Sequence, residues 1–195
     1  MEFEFDKAKT VCFTGHRPEK LPGGGADDAL VTKVIKSMLC KHIIDSINEG
    51  YDCFITGMAR GIDLWAGELV LSERQRFPSK DIKLFAAIPH VGHGAGLKGY
   101  EKWTYGNIMQ KANGHIYLNE RYTRSCMLER NEFMVNHSSR LIAAVDSYAS
   151  GTGQTVRLAQ KQGLDIKLID LKYIRSVADA HEAEVSEILM LEYPF

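Results

Sequence analysis

Six short apolar runs, set apart by longer amphipathic segments, constrain this chain more than any other feature. The runs are Thr10–Thr14, Asp52–Thr56, Ile82–Ile88, His115–Leu118, Leu141–Val145 and Ile166–Ile169. They are rich in β-branched and aromatic residues and nearly continuous, which is how strands covered on both faces of a parallel sheet read. Between them, Asp28–Asn48, Ile62–Arg76, Tyr100–Ala112, Met127–His137 and Gln154–Gln162 carry helical spacing, and Val177–Leu191 is expected to close the chain as a last helix. Regular alternation of strand and helix implies right-handed βαβ crossovers. The expected fold class is α/β, one domain over residues 1–195 with a mostly parallel sheet of about six strands flanked by helices.

A chain of 195 residues with 45% apolar content buries a core without covalent staples. Its cysteines, Cys12, Cys40, Cys53 and Cys126, form no CxxC pair and lie at no zinc-ligand spacing, so they read as structural thiols. Lys and Arg number 24 against 25 Asp and Glu, a net charge of −1. Gripping many phosphates usually demands a basic excess, so nucleic acid is expected to be an unlikely partner. The N-terminus is acidic where a signal peptide is basic, and no apolar stretch approaches the roughly 20 residues that span a bilayer. A cytoplasmic protein with no membrane contact is the expectation.

The longest irregular stretches, Gly15–Ala26 and Pro89–Gly99, each follow the carboxyl end of an expected strand. Ligands of open parallel sheets bind beyond those ends, near the point where strand order reverses. Both stretches, with Gly57–Gly61 and Ser147–Gly153, are therefore expected to crowd one edge of the domain.

Three turns there carry chemistry. In Thr14-Gly15-His16-Arg17-Pro18, Gly15 permits a close approach and Arg17 offers a planar fork of donors to phosphate or carboxylate. In Thr56-Gly57-Met58-Ala59-Arg60-Gly61-Ile62-Asp63, small residues turn a strand into a helix whose amino end can face an anion, with Asp63 in its first turn. Ser150-Gly151-Thr152-Gly153-Gln154-Thr155 sets glycines and hydroxyls before another helix, as a phosphate cradle would. Arg130, on the helix opened by Met127, reaches either a ligand or solvent. His90 and His93 lack a third ligand in sequence reach, so no metal site is expected. The chain has no Walker A sequence, GxSxG elbow or HExxH, Gly15 after the first strand begins no GxGxxG fingerprint, and no cofactor or catalytic residue is assigned.

TGHRP, TGMARGID, CMLERNEFMVNHSSRLIAAVD and SGTGQTV together resemble the SLOG superfamily, and within it the YpsA-like family, across about residues 9–170. The GMARGID turn is also similar to that of the DNA-processing protein DprA, and the Ser150–Gly153 turn to the LOG group of cytokinin-activating hydrolases. The resemblance implies a Rossmann-like three-layer domain that binds a nucleotide or nucleotide-derived ligand over the strand ends. It puts Gly15, His16 and Arg17 on one wall, Gly57, Ala59, Arg60, Gly61 and Asp63 on a second, and Gly151, Thr152, Gly153 and Thr155 around phosphate. Arg130 and Asn131 match the family's Arg-Asn pair. Two departures stand out: the last turn lacks the family's SGGT, and His90–Lys98 replaces a Gln-bearing loop before Trp103.

The expected function is a nucleotide sensor or regulator. The alternatives are a phosphoribohydrolase of the LOG kind, whose helix-borne Glu has no counterpart in SGTGQTVRLA, and DprA-like single-stranded DNA binding. The 177–191 helix is expected to pack its apolar stripe on the sheet as the closing crossover; the alternative is that the tail, with Tyr193 and Phe195, helps form a homodimer.

Overall fold

β1 (Thr10–Gly15) lies inside a six-stranded parallel sheet ordered β4-β3-β2-β1-β5-β6. Its neighbours are β2 (Cys53–Thr56) and β5 (Arg140–Val145), with β3 (Lys83–Ile88) and β4 (Gly114–Tyr117) beyond β2, and β6 (Asp165–Asp170) beyond β5. The computed structural model describes residues 4–26, 29–147 and 149–180. The expected strands are present, each within a residue or two of its expected bounds.

Strand pleating distributes one continuous apolar run between two cores. Val11 and Phe13 join the cluster beneath α1 (Leu30–Asn48), α2 (Ile62–Arg76) and α3 (Gly99–Lys111), whereas Cys12 faces α4 (Cys126–Asn136) and α5 (Gly151–Lys161). In β5, Ile142 and Ala144 take the first side, and Leu141, Ala143 and Val145 the second. α6 (Leu171–Ala180) adds Leu171 and Ile174 to the α1 side. The layers are helix, sheet, helix. Cys12, Cys53 and Cys126 are buried, and all four cysteines are free; burial pushes the Cys12 thiol up to about 12.

Two helices begin earlier than their sequence spacing indicates. α5 starts at Gly151, because Ser150 Oγ accepts from the Gly153 N–H at 3.1 Å and caps the turn. The glycines that read as loop thus form its first turn. α6 starts at Leu171, directly after β6, and not at Val177. Its expected continuation to Leu191, and the tail with Tyr193 and Phe195, lie outside the described residues. Among the described residues no helix is long and apolar enough to cross a membrane.

Candidate functional site

Strand order reverses at β1, which exchanges hydrogen bonds with β2 on one side and β5 on the other. The chain leaving β1 and the chain leaving β5 therefore separate, and a crevice opens over their carboxyl ends. A cavity of about 250 Å³ occupies it, lined among others by Gly15, His16, Arg17, Ala59, Asp63, Arg130, Asn131, Gly151 and Thr152. Arg17 is exposed; its carbonyl accepts from the Lys20 N–H at 2.9 Å, and its guanidinium has no hydrogen bond or ion pair among the described residues.

The turn after β2 is held from below. Thr56 Oγ1 donates to the Asp63 carbonyl at 2.7 Å, and Asp63 Oδ2 accepts the Ala59 N–H at 3.3 Å. Met58, almost fully buried, adopts φ 60°, the left-handed region that β-carbon residues rarely enter. Arg130 Nη1 donates to Asp63 Oδ2 at 2.8 Å and also to the Gly57 carbonyl. Gly57 has no room for a β-carbon, which would overlap the Arg130 guanidinium. Burial raises the Asp63 carboxyl above its ordinary value, while Arg130 and the Ala59 N–H hold it down. Gly61, at φ 80°, caps α2 so closely to the first turn that a β-carbon would lie 2.6 Å from the His16 carbonyl oxygen.

On the β5 side, His16 Nε2 stands 2.6 Å from Asp146 Oδ1, and His16 Nδ1 stands 3.4 Å from Thr152 Oγ1. Asn131 Nδ2 donates to Thr155 Oγ1 at 2.8 Å, tying α4 to α5. The amino ends of α2 and α5 thus converge on one cavity, with the partial positive charge such ends carry.

Two larger cavities adjoin it. One of about 1060 Å³ shares His16, Glu19, Lys20 and Ser150 with it and reaches Asp146 and Arg175. Another of about 550 Å³ shares Arg17, Ala59 and Met127, and includes Arg60, His90, His93 and Tyr122. His93 Nε2 donates to the Met58 carbonyl at 3.2 Å. Burial, then the nearby Arg130 charge, lowers its pKa to about 4, so the ring is neutral near pH 7. Arg60 turns outward and pairs with Glu101, Nε to Oε2 at 2.7 Å. No group of three or more His, Cys, Asp or Glu among the described residues is arranged to hold a metal.

Nine of the residues singled out in the sequence line the central cavity. Gly57 and Gly61 support its wall from behind, Gly153 is the capped residue of α5, Thr155 is buried under Asn131, and Arg60 faces the neighbouring cavity. Sequence reasoning missed the pairing of Asp146 with His16. The available signal was position: each directly follows one of the two strands that flank the switch point.

The model of the family described as the YspA SLOG family matches residues 11–175. A UPF0398 protein of Levilactobacillus brevis is 25% identical over 176 residues, covering 87% of this chain and 92% of that protein. One of Staphylococcus epidermidis is 28% identical over 140 residues, covering 71% of this chain and 73% of its own. Among solved structures, DprA of Streptococcus pneumoniae aligns with a TM-score of 0.56 at 17% identity over 97% of this chain, which spans 63% of that protein. DprA of Helicobacter pylori, whose structure is described as revealing a unique single-stranded DNA binding mode, aligns with a TM-score of 0.54 at 16% identity, covering 96% of this chain and 83% of its own. These likenesses show the fold. They also correct the expectation that nucleic acid is an unlikely partner, since a protein of this fold is described as binding it. Net charge sums a whole surface, whereas a single-strand groove needs only local cations and stacking rings.

Proposed function

The chain belongs to the YspA SLOG family, and from that footing we propose that it binds a nucleotide or nucleotide-derived ligand in the crevice beyond β1, β2 and β5, as a cytoplasmic sensor or regulator. One observation carries the reading: an unpaired Arg17 and the amino ends of α2 and α5 meet at a single cavity. A phosphate fits that chamber, and the adjoining space of about 1060 Å³ receives the remainder of the ligand. Thermal shift against AMP, ATP, NAD and ADP-ribose tests it. A ligand at a hundred times its Kd adds about 2.7 kcal/mol of stability, and no shift with any of them at millimolar concentration rejects the reading.

A second reading, single-stranded nucleic acid, is favoured by exposed rings beside the same cations. Tyr122 is 64% exposed and meets His90 edge-on, with ring centroids 5.6 Å apart, in the cavity that also holds Arg17 and Lys98. Such rings give bases a stacking surface. Fluorescence anisotropy with a labelled oligonucleotide separates the readings: tight, salt-sensitive binding lost in Tyr122→Ala supports this one.

A further inference from the structure

Asp146, His16 and Thr152 form a hydrogen-bonded series that ligand binding alone leaves unused. Two Asp146 groups face His16 Nε2, the carboxylate Oδ1 at 2.6 Å and the backbone N–H at 3.5 Å; a carboxylate oxygen only accepts, and the much shorter contact assigns the ring proton to Nε2. Nδ1 then keeps its lone pair, and that nitrogen faces Thr152 Oγ1 at 3.4 Å. His16 is only 5% exposed, so packing fixes the ring; Arg175 Nη2 lies 3.7 Å from Asp146 Oδ2 on the far side. Beside the hydroxyl, the N–H groups of Gly151 and Thr152 open α5 with no acceptor among the described residues. Orienting carboxylate, base, hydroxyl and a pair of backbone donors are the components of acyl transfer.

We propose that Thr152 is the nucleophile for hydrolysis of a small anionic carboxylic ester held in the crevice, an O-acyl derivative of a phosphorylated sugar being the class that fits. Thr152 Oγ1 attacks the ester carbonyl carbon as its proton moves to His16 Nδ1. The carbon–oxygen bond to the alcohol breaks, and the same proton leaves with the alcohol. Water then attacks acyl-Thr152 and gives a proton to Nδ1; the carboxylic acid departs, and the proton returns to Oγ1. One water is consumed for each ester cleaved. Asp146 touches the imidazole and the Arg175 guanidinium but no reacting atom, and is a positioning residue.

The inference rests on the crevice being a ligand site, and the two readings fail separately. The full chain is incubated with p-nitrophenyl acetate and with 3′-O-acetyl-AMP, and peptides are mapped by mass spectrometry. Expected are alcohol release, an acetyl group trapped on Thr152, a rate lower by at least about 100-fold in Thr152→Val, and retained turnover in Thr152→Ser. Asp146→Asn should lower kcat and move the pH profile with little change in KM. Equal rates for the wild-type chain and Thr152→Val, or acetyl found on another residue, overturn the proposal. Stabilisation of the wild-type chain by AMP without acetyl-Thr152 overturns the relay and spares the nucleotide reading. Acetyl-Thr152 without an AMP shift supports the relay and rejects that reading.

Discussion

Arg130 Nη1 lies 2.8 Å from Asp63 Oδ2, with both side chains more than nine-tenths buried. The pair joins α4 on one side of the sheet to α2 on the other, across the end of β2. Removing one partner leaves a buried charge unmatched, so Arg130→Ala or Asp63→Asn should cost about 3–5 kcal/mol in urea unfolding. The double variant Asp63→Leu with Arg130→Met should recover most of that. A loss below about 1 kcal/mol in the single variants would show that the pair is dispensable.

Gly57 and Gly151 look alike in sequence and should respond in opposite ways to alanine. A β-carbon on Gly57 would overlap Arg130 and lie 2.7 Å from Asp63 Oδ2, whereas one on Gly151 meets nothing within 4 Å. Gly57→Ala should destabilise by about 1–3 kcal/mol. Gly151→Ala should stay within about 0.5 kcal/mol of the wild-type chain. Paired denaturation curves decide the contrast.

Arg17→Ala should leave the unliganded melting temperature unchanged, because the side chain is exposed and unpaired. It should weaken an anionic nucleotide by about 1.5–3 kcal/mol, the worth of a hydrogen bond to a charged group. Titration calorimetry with the ligand found by thermal shift measures the difference. Unchanged affinity would move the phosphate away from the turn after β1.

Stability should decline on mild acidification through His93. Its pKa is about 4 in the folded protein against 6.5 as an ordinary value, because burial above all, and then Arg130, His90 and Arg17, disfavour the charged ring. Between those values the unfolded chain takes up a proton that the folded chain refuses, so stability falls as pH drops from 6.5 towards 4. His93→Gln keeps a donor for the Met58 carbonyl and should flatten that limb. Urea midpoints at pH 7.5, 6 and 5 would show it, and equal slopes in both proteins would assign the acid sensitivity elsewhere.

The sheet was legible in the sequence because each strand is a local signal: Leu141–Val145 is apolar at every position, and burial on both faces asks for that. Helix starts were less legible. Gly151 and Gly153 carry the marks of a loop, and Ser150 outweighs them by capping the first turn. The candidate site was legible residue by residue but not as an arrangement. Arg130 reads as a surface cation on an amphipathic helix until α4 crosses the sheet and brings it to Asp63. His16 and Asp146 are 130 positions apart, and no local pattern records a contact that strand order alone creates.

The pairing of β1 with β5 also sets when the crevice comes into being. Val11 takes Arg140 as its register partner, so one side of the central strand stays open until almost three-quarters of the chain has left the ribosome. At about 5–20 residues per second, β1 waits on the order of ten seconds for that neighbour. During that interval its row of backbone donors and acceptors is free to capture any other extended segment. A nascent chain stalled before Arg140 would expose the His16 turn with neither Asp146 nor Thr152 to complete it. The crevice is thus among the last features this protein completes during synthesis.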